Sequence, residues 1–154
     1  MSIEIHRESL EEEATHLGGE ARMLLPGVQT FLGFQLMSVF NQRFELFTRH
    51  EQLLHYAAFL MVAVTMGLMM APAAYHRQAE RDRISRRFVD MSSRMLSLAM
   101  LPFIAGVCLD AYLLGRLIIG GNRMPALLAA LGLCAVLTGL WFVWPGIHGC
   151  RRRR

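Results

Sequence analysis

Four long apolar stretches limit what this chain can fold into. They cover residues 23–41, 53–75, 95–119 and 125–144, and each is close to the roughly 20 residues that cross a hydrocarbon core of about 30 Å as a helix. Hydrophobic residues make up 54% of the 154 residues and charged residues only 18%, which is too apolar for an ordinary soluble domain. The second and fourth stretches carry almost no charge on any face, so a soluble four-helix bundle does not fit. The sequence therefore predicts an all-α integral membrane protein with four transmembrane helices.

The arginines predict how these helices are oriented. All 16 basic residues are arginine. Twelve lie in the amino-terminal segment, in the connection between the second and third stretches and in the tail, whereas four lie in the other two connections. Because basic residues accumulate on the cytoplasmic side, both termini are expected in the cytoplasm. We expect a multi-pass inner-membrane protein with an acidic cytoplasmic segment at 1–22, a transmembrane domain at 23–148 and a basic tail at 149–154.

The acidic segment before the first span shows a weak helical pattern. Ile3, Leu10 and Leu17 recur every seven residues, and the pair Gly18 and Gly19 predicts a helix end. Two placements are open for this segment. It packs against the basic connection on the same side of the membrane, because opposite charges attract, or it is a solvated terminus.

The connection at 76–94 is basic and contains neither glycine nor proline. Asp82 with Arg86, and Arg86 with Asp90, have the spacing of salt bridges on one helix face, so the second and third helices are expected to continue beyond the membrane surface. Two roles are open for the arginines: a solvated hairpin that orients the protein, or a docking surface for anionic lipid or an acidic partner. The residues assigned to docking are Arg81, Arg83, Arg86 and Arg87.

Metal, cofactor and catalytic motifs are not recognisable in the sequence. The three cysteines lack CxxC spacing, and no two of the six histidines lie four residues apart, so no metal site is predicted. No nucleophile with a base, no carboxylate pair and no cofactor motif is evident, so an enzyme is not expected. Nucleic-acid binding is not expected either, since no aromatic residues interleave the arginines.

A row of small residues in the second span predicts close helix packing. Ala63, Gly67 and Ala71 recur every four residues, and this small-xxx-small spacing lets another backbone approach closely. Such rows mark helix contacts far more often than ligand sites, so the expected role is packing.

Polar residues interrupt the first and third apolar stretches at one level. On a single helix, Gln35, Ser38, Gln42 and Glu45 fall on one stripe. By rise per residue, Asp110 of the third stretch lies level with Gln35 and Ser38. A charged group inside a membrane costs about 2.5 to 3.5 kcal/mol on insertion scales. Two roles are open for Asp110: locking helices together through Gln35, Ser38 or a nearby arginine, or handling a proton or cation.

Three segments resemble a family of small bacterial four-span membrane proteins that are labelled sodium:proton antiporter. They are LLPGVQTFLGFQL, FNQRF and APAAYHR, within residues 20–115. The resemblance implies a four-span fold and exchange of cations and protons. It supplies no functional residues that could be carried over to this chain.

Two functions follow from these features. In the first, a homo-oligomer translocates a proton or a monovalent cation past Asp110 and the polar stripe, because one four-helix subunit has too little interior for a path. In the second, the chain is a non-transporting subunit or scaffold that docks a partner or anionic lipid through its basic connection. A carboxylate at membrane depth beside two polar groups favours transport.

The arginine distribution predicts the topology directly. A reporter that is active only in the cytoplasm should be active when fused at Arg81 or after the tail, and inactive when fused at Glu45 between the first two spans. Activity at Glu45 together with inactivity at Arg81 would show that the orientation is the reverse.

Overall fold

The computed structural model describes residues 2–79, 85–119 and 122–151, and this part of the chain contains helices and no strand. The elements are α1 (Ser2–Val39), a 3₁₀ helix (Gln42–Leu46), α2 (Arg49–Ala79), α3 (Arg86–Ile119), α4 (Met124–Thr138), a π-helical turn (Gly139–Val143) and α5 (Trp144–Arg151). The predicted all-α class is confirmed for the described residues.

Three helical segments are long and apolar enough to cross a membrane. They are Arg49–Gln78, Arg86–Ile119 and Met124–Ile147, and they contain the second, third and fourth predicted spans. The first predicted span, 23–41, lies in α1 up to Val39, and α1 is not among these three helices. Polar side chains in this span, such as the amides of Gln29 and Gln35 and the hydroxyl of Ser38, lower its mean hydropathy. The three apolar helices fit a membrane-embedded protein.

The helix α1 is continuous over 38 residues, so the predicted helix end at Gly18 and Gly19 is wrong. Glycine in a helix interior costs about 1 kcal/mol relative to alanine, and tertiary packing of the same segment offsets this cost. Leu10 is buried in a cluster with Phe88 and Val89 of α3. The acidic segment and the first apolar stretch therefore form one helix, without a break between residues 22 and 23.

The acidic segment lies against the basic beginning of α3, which is the first of its two expected placements. Arg86 Nη1 donates to Glu13 Oε2 at 3.1 Å, and Arg86 Nε lies 3.7 Å from Asp90 Oδ1. All three side chains are solvent-exposed, so each pair contributes about 0 to 1 kcal/mol. The apolar cluster around Leu10 is the larger source of stability at this end. Asp82, the other predicted partner of Arg86, lies outside the described residues.

The central helix of the bundle is α3, which packs on α1, α2 and α4. It runs parallel to α1 and antiparallel to α2 and α4. For α1, the contacts that establish this direction are Glu13 with Arg86 and Gln35 with Asp110. For α2, they are Tyr75 with Phe88 and Glu51 with Arg116. For α4 and the π-helical turn after it, they are Gly115 with Ala126 and Phe103 with Trp141. Segments of α1, α2 and α3 that are distant in sequence therefore meet at equal depth.

Helices α2 and α3 approach each other closely at Gly106. A Cβ atom on Gly106 would lie 2.8 Å from Val62 Cγ2 and 3.0 Å from the carbonyl oxygen of Ala58. Ala58 and Val62 are both fully buried. The absence of a side chain at position 106 is what allows the two backbones to come together.

The predicted small-residue row is not part of this contact. Gly67 is exposed, and among the described residues no heavy atom beyond the adjacent backbone of its own helix lies within 4 Å of the position that its Cβ would take. Ala63 and Ala71 are half-buried. The face of α2 that packs inward contains Ala58, Val62, Thr65 and Met69. Helix packing within the chain thus depends on Gly106, and a packing role for Gly67 requires another molecule.

A matched pair of alanine substitutions tests this assignment. Replacing a glycine inside a helix by alanine stabilises the folded protein by about 0.5 to 1 kcal/mol where the added methyl group has room. Where the methyl group collides with a neighbouring helix, overpacking destabilises the protein by about 1 to 3 kcal/mol. Gly106→Ala should therefore lower the thermal unfolding midpoint in detergent, and Gly67→Ala should leave it unchanged or raise it. Destabilisation by Gly67→Ala with no effect of Gly106→Ala would contradict the packing described here.

Candidate functional site

Four polar side chains from three helices meet inside the bundle: Gln35 and Ser38 of α1, His55 of α2 and Asp110 of α3. We call these four residues the polar cluster. Asp110 lies nine residues before the end of α3, about 14 Å along the helix axis. The cluster is therefore well inside the apolar part of the bundle.

Both carboxylate oxygens of Asp110 are bonded. Gln35 Nε2 donates to Oδ2 at 2.6 Å, and His55 Nδ1 lies 3.0 Å from Oδ1. Gln35 is 4% exposed and His55 is 7% exposed, and the Asp110 side chain is 18% exposed, so these bonds are shielded from solvent except on the side of Asp110. The predicted partnership of Asp110 with Gln35 is present, and one carboxylate connects α1, α2 and α3.

The second ring nitrogen of His55 faces α1. His55 Nε2 lies 2.9 Å from Ser38 Oγ and 3.0 Å from the carbonyl oxygen of Gln35. Ser38 Oγ in turn lies 2.7 Å from the same carbonyl oxygen, within donating distance. The imidazole ring therefore bridges the Asp110 carboxylate and the end of α1.

These distances are compatible with two arrangements of protons. With one proton on the ring, Nδ1–H of His55 donates to Asp110, and Nε2 accepts a hydrogen bond from the Ser38 hydroxyl. With two protons on the ring, Nε2–H donates to the carbonyl of Gln35, and the Ser38 hydroxyl donates to that carbonyl as well. Rotation of one hydroxyl separates the two arrangements. The ring of His55 can gain or lose a proton while the ring, the Ser38 hydroxyl and the Asp110 carboxylate remain hydrogen-bonded.

The order Ser38, His55, Asp110 resembles the connectivity of a hydrolase triad, and no sequence motif indicates this arrangement. An acyl-transfer site also needs free donors that stabilise an oxyanion. The backbone N–H groups of Phe40 and Asn41, which follow Ser38, donate to carbonyls of the preceding turn. The geometry around Ser38 therefore provides no argument for nucleophilic catalysis.

A buried ion pair lies between the polar cluster and the end of the bundle. Arg116 Nε donates to Glu51 Oε1 at 3.1 Å, and the side chains are 16% and 12% exposed. Thr48 N and Oγ1 each donate to Glu51 Oε2 at 2.9 Å, and Glu51 N donates to Thr48 Oγ1 at 3.4 Å. Thr48 and Glu51 thus form a capping box at the beginning of α2. We call Glu51 and Arg116 the terminal ion pair.

Two residues of this region, His55 and Glu51, were not predicted from the sequence to be site residues. A signal for Glu51 was present, because threonine followed three residues later by glutamate is the capping-box pattern. His55 lies four residues after Glu51, on the same helical face. Its contact with Asp110 depends on how α2 is rotated, which the sequence pattern did not show.

The predicted polar stripe does not continue beyond Ser38. Helix α1 ends at Val39, and Gln42 and Glu45 lie on the following 3₁₀ helix, where both are exposed. Asn41 caps this 3₁₀ helix by accepting a hydrogen bond from Arg43 N at 3.0 Å. The prediction that Gln42 and Glu45 share one helical face with Gln35 and Ser38 is therefore wrong. The angle of 100° per residue places side chains on a common face only as far as the α-helix continues.

The polar cluster lines a pocket of about 490 Å³ between α1 and α3. Four phenylalanines contribute to its lining: Phe31 and Phe34 from α1, and Phe44 and Phe47 from the segment that follows it. Apolar residues of α3, from Val107 to Leu117, form the facing wall. The ring of Phe44 meets His55 edge-on, with centroids 5.5 Å apart. The lining also includes Asn41 and Arg43, so the pocket is mostly apolar with a polar cluster on one side.

The four arginines assigned to docking are not equivalent. Arg86 is engaged by Glu13 within the chain, and Arg87 is exposed. Arg81 and Arg83 lie outside the described residues. Docking of anionic lipid or an acidic partner stays a prediction, with one of its arginines occupied by an internal salt bridge.

Comparison with known proteins identifies one family. Residues 4–145 match the family described as Family of unknown function (DUF6328). No curated protein and no solved structure matches the chain. The resemblance to sodium:proton antiporters is not confirmed by this match.

Asp110 and Glu45 were both predicted from the sequence to belong to one ion path. The hydrogen bonds of Asp110 predict that its replacement lowers the stability of the protein more than replacement of Glu45 does. Asp110→Leu leaves the donors of Gln35 and His55 without an acceptor, at a cost of about 1 to 3 kcal/mol for each buried group. Glu45→Leu removes an exposed carboxylate, and its effect should stay within about 0.5 kcal/mol. Unfolding midpoints in detergent measure the difference, and equal midpoints for the two variants would rule out a structural role for the cluster.

Proposed function

The chain belongs to the Family of unknown function (DUF6328), and we propose that it translocates protons, in exchange for a monovalent cation, across the bacterial inner membrane. The observation that supports this proposal is the buried pair of His55 and Asp110, with hydrogen-bond partners on both sides of the ring. An ionisable pair inside a membrane span is costly, and it most often marks a proton or ion pathway.

The first part of the proposal is that α1 is a fourth membrane-spanning helix. Large apolar side chains of α1, and Phe40 directly after it, are exposed on the surface of the bundle: Met23 and Phe40 by 84%, and Phe34 and Met37 by 70%. Lipid accommodates such a surface, whereas water does not. Together with the arginine distribution, this supports four spans with both termini in the cytoplasm.

The second part concerns how the cluster handles a proton. A proton that arrives through the pocket binds at His55 Nε2, the Ser38 hydroxyl turns toward the carbonyl of Gln35, and Asp110 balances the positive ring. Release reverses these steps. Each state keeps the His55 ring, the Ser38 hydroxyl and the Asp110 carboxylate hydrogen-bonded, so neither state leaves one of these three groups unpaired.

The third part is a homo-oligomer. Beyond the cluster, the interior contains the apolar side chains of Val28, Val62, Met69 and Ala99. Two buried hydroxyls, those of Thr65 and Ser92, also lie in this half, and that of Thr65 donates to the Met61 carbonyl of its own helix. The described part of one subunit therefore offers no continuous polar route through the opposite half. A route of that kind requires a second copy or a rearranged bundle. The exposed row at Gly67 provides a small-residue surface on which a second copy packs.

Proton flux into proteoliposomes tests the proposal. Under an imposed pH gradient, with a monovalent cation on the opposite side of the membrane as the exchange partner, purified wild-type protein should move protons, as reported by a pH-sensitive dye inside the vesicles. Asp110→Asn keeps the shape of the side chain and an acceptor for His55, and the Gln35 amide can rotate to accept from the new NH2 group. The variant removes the charge, so it should lower the flux about tenfold or more. The matched control is Asp90→Asn, which makes the same change at an exposed position of α3 and should leave the flux unchanged.

The outcomes separate transport from a structural role. Loss of flux in Asp110→Asn with an unchanged oligomer, measured by size-exclusion chromatography, would support proton handling. Wild-type vesicles without proton flux when sodium, potassium or an organic ammonium ion is supplied as the exchange partner would refute transport. An Asn variant with wild-type flux would remove Asp110 from the mechanism.

A further inference from the structure

We infer that the pocket beside the polar cluster binds a hydrophobic organic amine in its protonated, cationic form, and that this cation competes with the proton for the cluster. The inference rests on the proposed function, because it names the chemical class of the monovalent cation that is exchanged for the proton.

The walls of the pocket select an organic ligand with an apolar, preferably aromatic, body. The volume of about 490 Å³ lies within the range of ligand pockets, about 300 to 1,000 Å³. Phe31, Phe34, Phe44 and Phe47 provide aromatic surface, on which both apolar groups and cations are stabilised. A bare inorganic cation would need several oxygen ligands in place of its hydration shell, and these walls do not provide them.

The buried polar atoms select a ligand that donates hydrogen bonds. Gln35 lines the pocket and is 4% exposed, and its Oε1 has no hydrogen-bond partner among the described residues. Gln35 Nε2 is bonded to Asp110, so the free acceptor and the carboxylate belong to one hydrogen-bonded unit. An ammonium group brings N–H donors for the acceptor and positive charge for the carboxylate.

The charges around the cluster favour a cation over an anion. When the ring of His55 carries one proton, Asp110 gives the cluster one negative charge. Glu51 and Arg116 neutralise each other one turn away. Arg43 also lines the pocket, but its side chain is exposed, so water screens its charge. An anionic amphiphile would have to use Arg43 alone and would leave the buried acceptor of Gln35 without a donor.

Competition with the proton follows from the same arrangement. A second proton on His55 makes the cluster neutral and turns its Nε2–H and the Ser38 hydroxyl toward the carbonyl of Gln35. The ammonium group then loses the net negative charge that attracted it. One bound proton therefore displaces one bound cation, and charge is conserved in the exchange.

Three probes of matched shape test the inference: phenylbutylamine is a cation at neutral pH, phenylbutanol is neutral and phenylbutyrate is an anion. Binding is measured by calorimetry on the full-length protein in lipid nanodiscs. Phenylbutylamine should bind about tenfold or more tightly than phenylbutanol, the size of one charged hydrogen bond. Lowering the pH should weaken binding of the amine and leave binding of the alcohol unchanged.

Three variants show which residues cause the preference for the amine over the alcohol. Asp110→Asn should abolish the preference for the amine over the alcohol, and Asp90→Asn should retain it. Arg43→Gln should leave amine binding equal or tighter, because it removes a positive charge from the lining. Where Asp110→Asn does not assemble, the pH series on the wild-type protein and the Arg43→Gln variant carry the test.

Some results would overturn the inference. They are equal binding of the amine and the alcohol, tightest binding of phenylbutyrate with its loss in Arg43→Gln, or amine binding that is independent of pH. The second of these would identify an anionic amphiphile as the occupant. Proton flux in vesicles without any preference for the amine would refute this inference alone. Binding of the amine that weakens with falling pH, without proton flux, would support it and refute the proposed transport alone.

Discussion

The carboxylate of Asp110 is the group on which the arrangement of the first three helices depends. A charge at this depth is unfavourable unless its oxygens are bonded. Its two oxygens are bonded by Gln35 from α1 and His55 from α2, so the unfavourable burial of one group fixes the relative positions of three helices. Apolar packing alone would not do this in a membrane, because lipid tails compete equally for apolar side chains.

Contacts on both sides of the polar cluster hold it together. Gly106 lies one helical turn from Asp110 and lets α2 come close to α3, which brings His55 within hydrogen-bonding distance of the carboxylate. On the other side, Glu51 and Arg116 join the same two helices through a buried ion pair. The bond between His55 and Asp110 is thus enclosed between a close backbone contact and a salt bridge.

The two halves of the bundle differ in chemistry. The half that contains the cluster has buried polar groups, an ion pair and a pocket. The other half is held mainly by apolar clusters, including Leu10 of the acidic segment against Phe88 and Val89, and the buried polar side chains Thr65 and Ser92 contribute hydroxyls without a charge. Buried polar groups that can exchange protons lie beside the space that a ligand can occupy. This asymmetry is the structural basis for proposing that proton binding and ligand binding are linked.

The sequence by itself determined the helical class, three of the apolar spans and the equal depth of Asp110 and Gln35. These properties are local, because hydropathy is a sum along the chain and every helical residue adds the same rise. Only the tertiary structure decided that His55 completes the cluster, that Gly106 and not Gly67 forms the close contact within the chain, and that α1 ends at Val39. Rotation of a helix about its axis and the point at which it ends depend on contacts with segments distant in sequence. A periodic pattern fixes the spacing of a helical face, and the neighbouring helices decide which face turns inward.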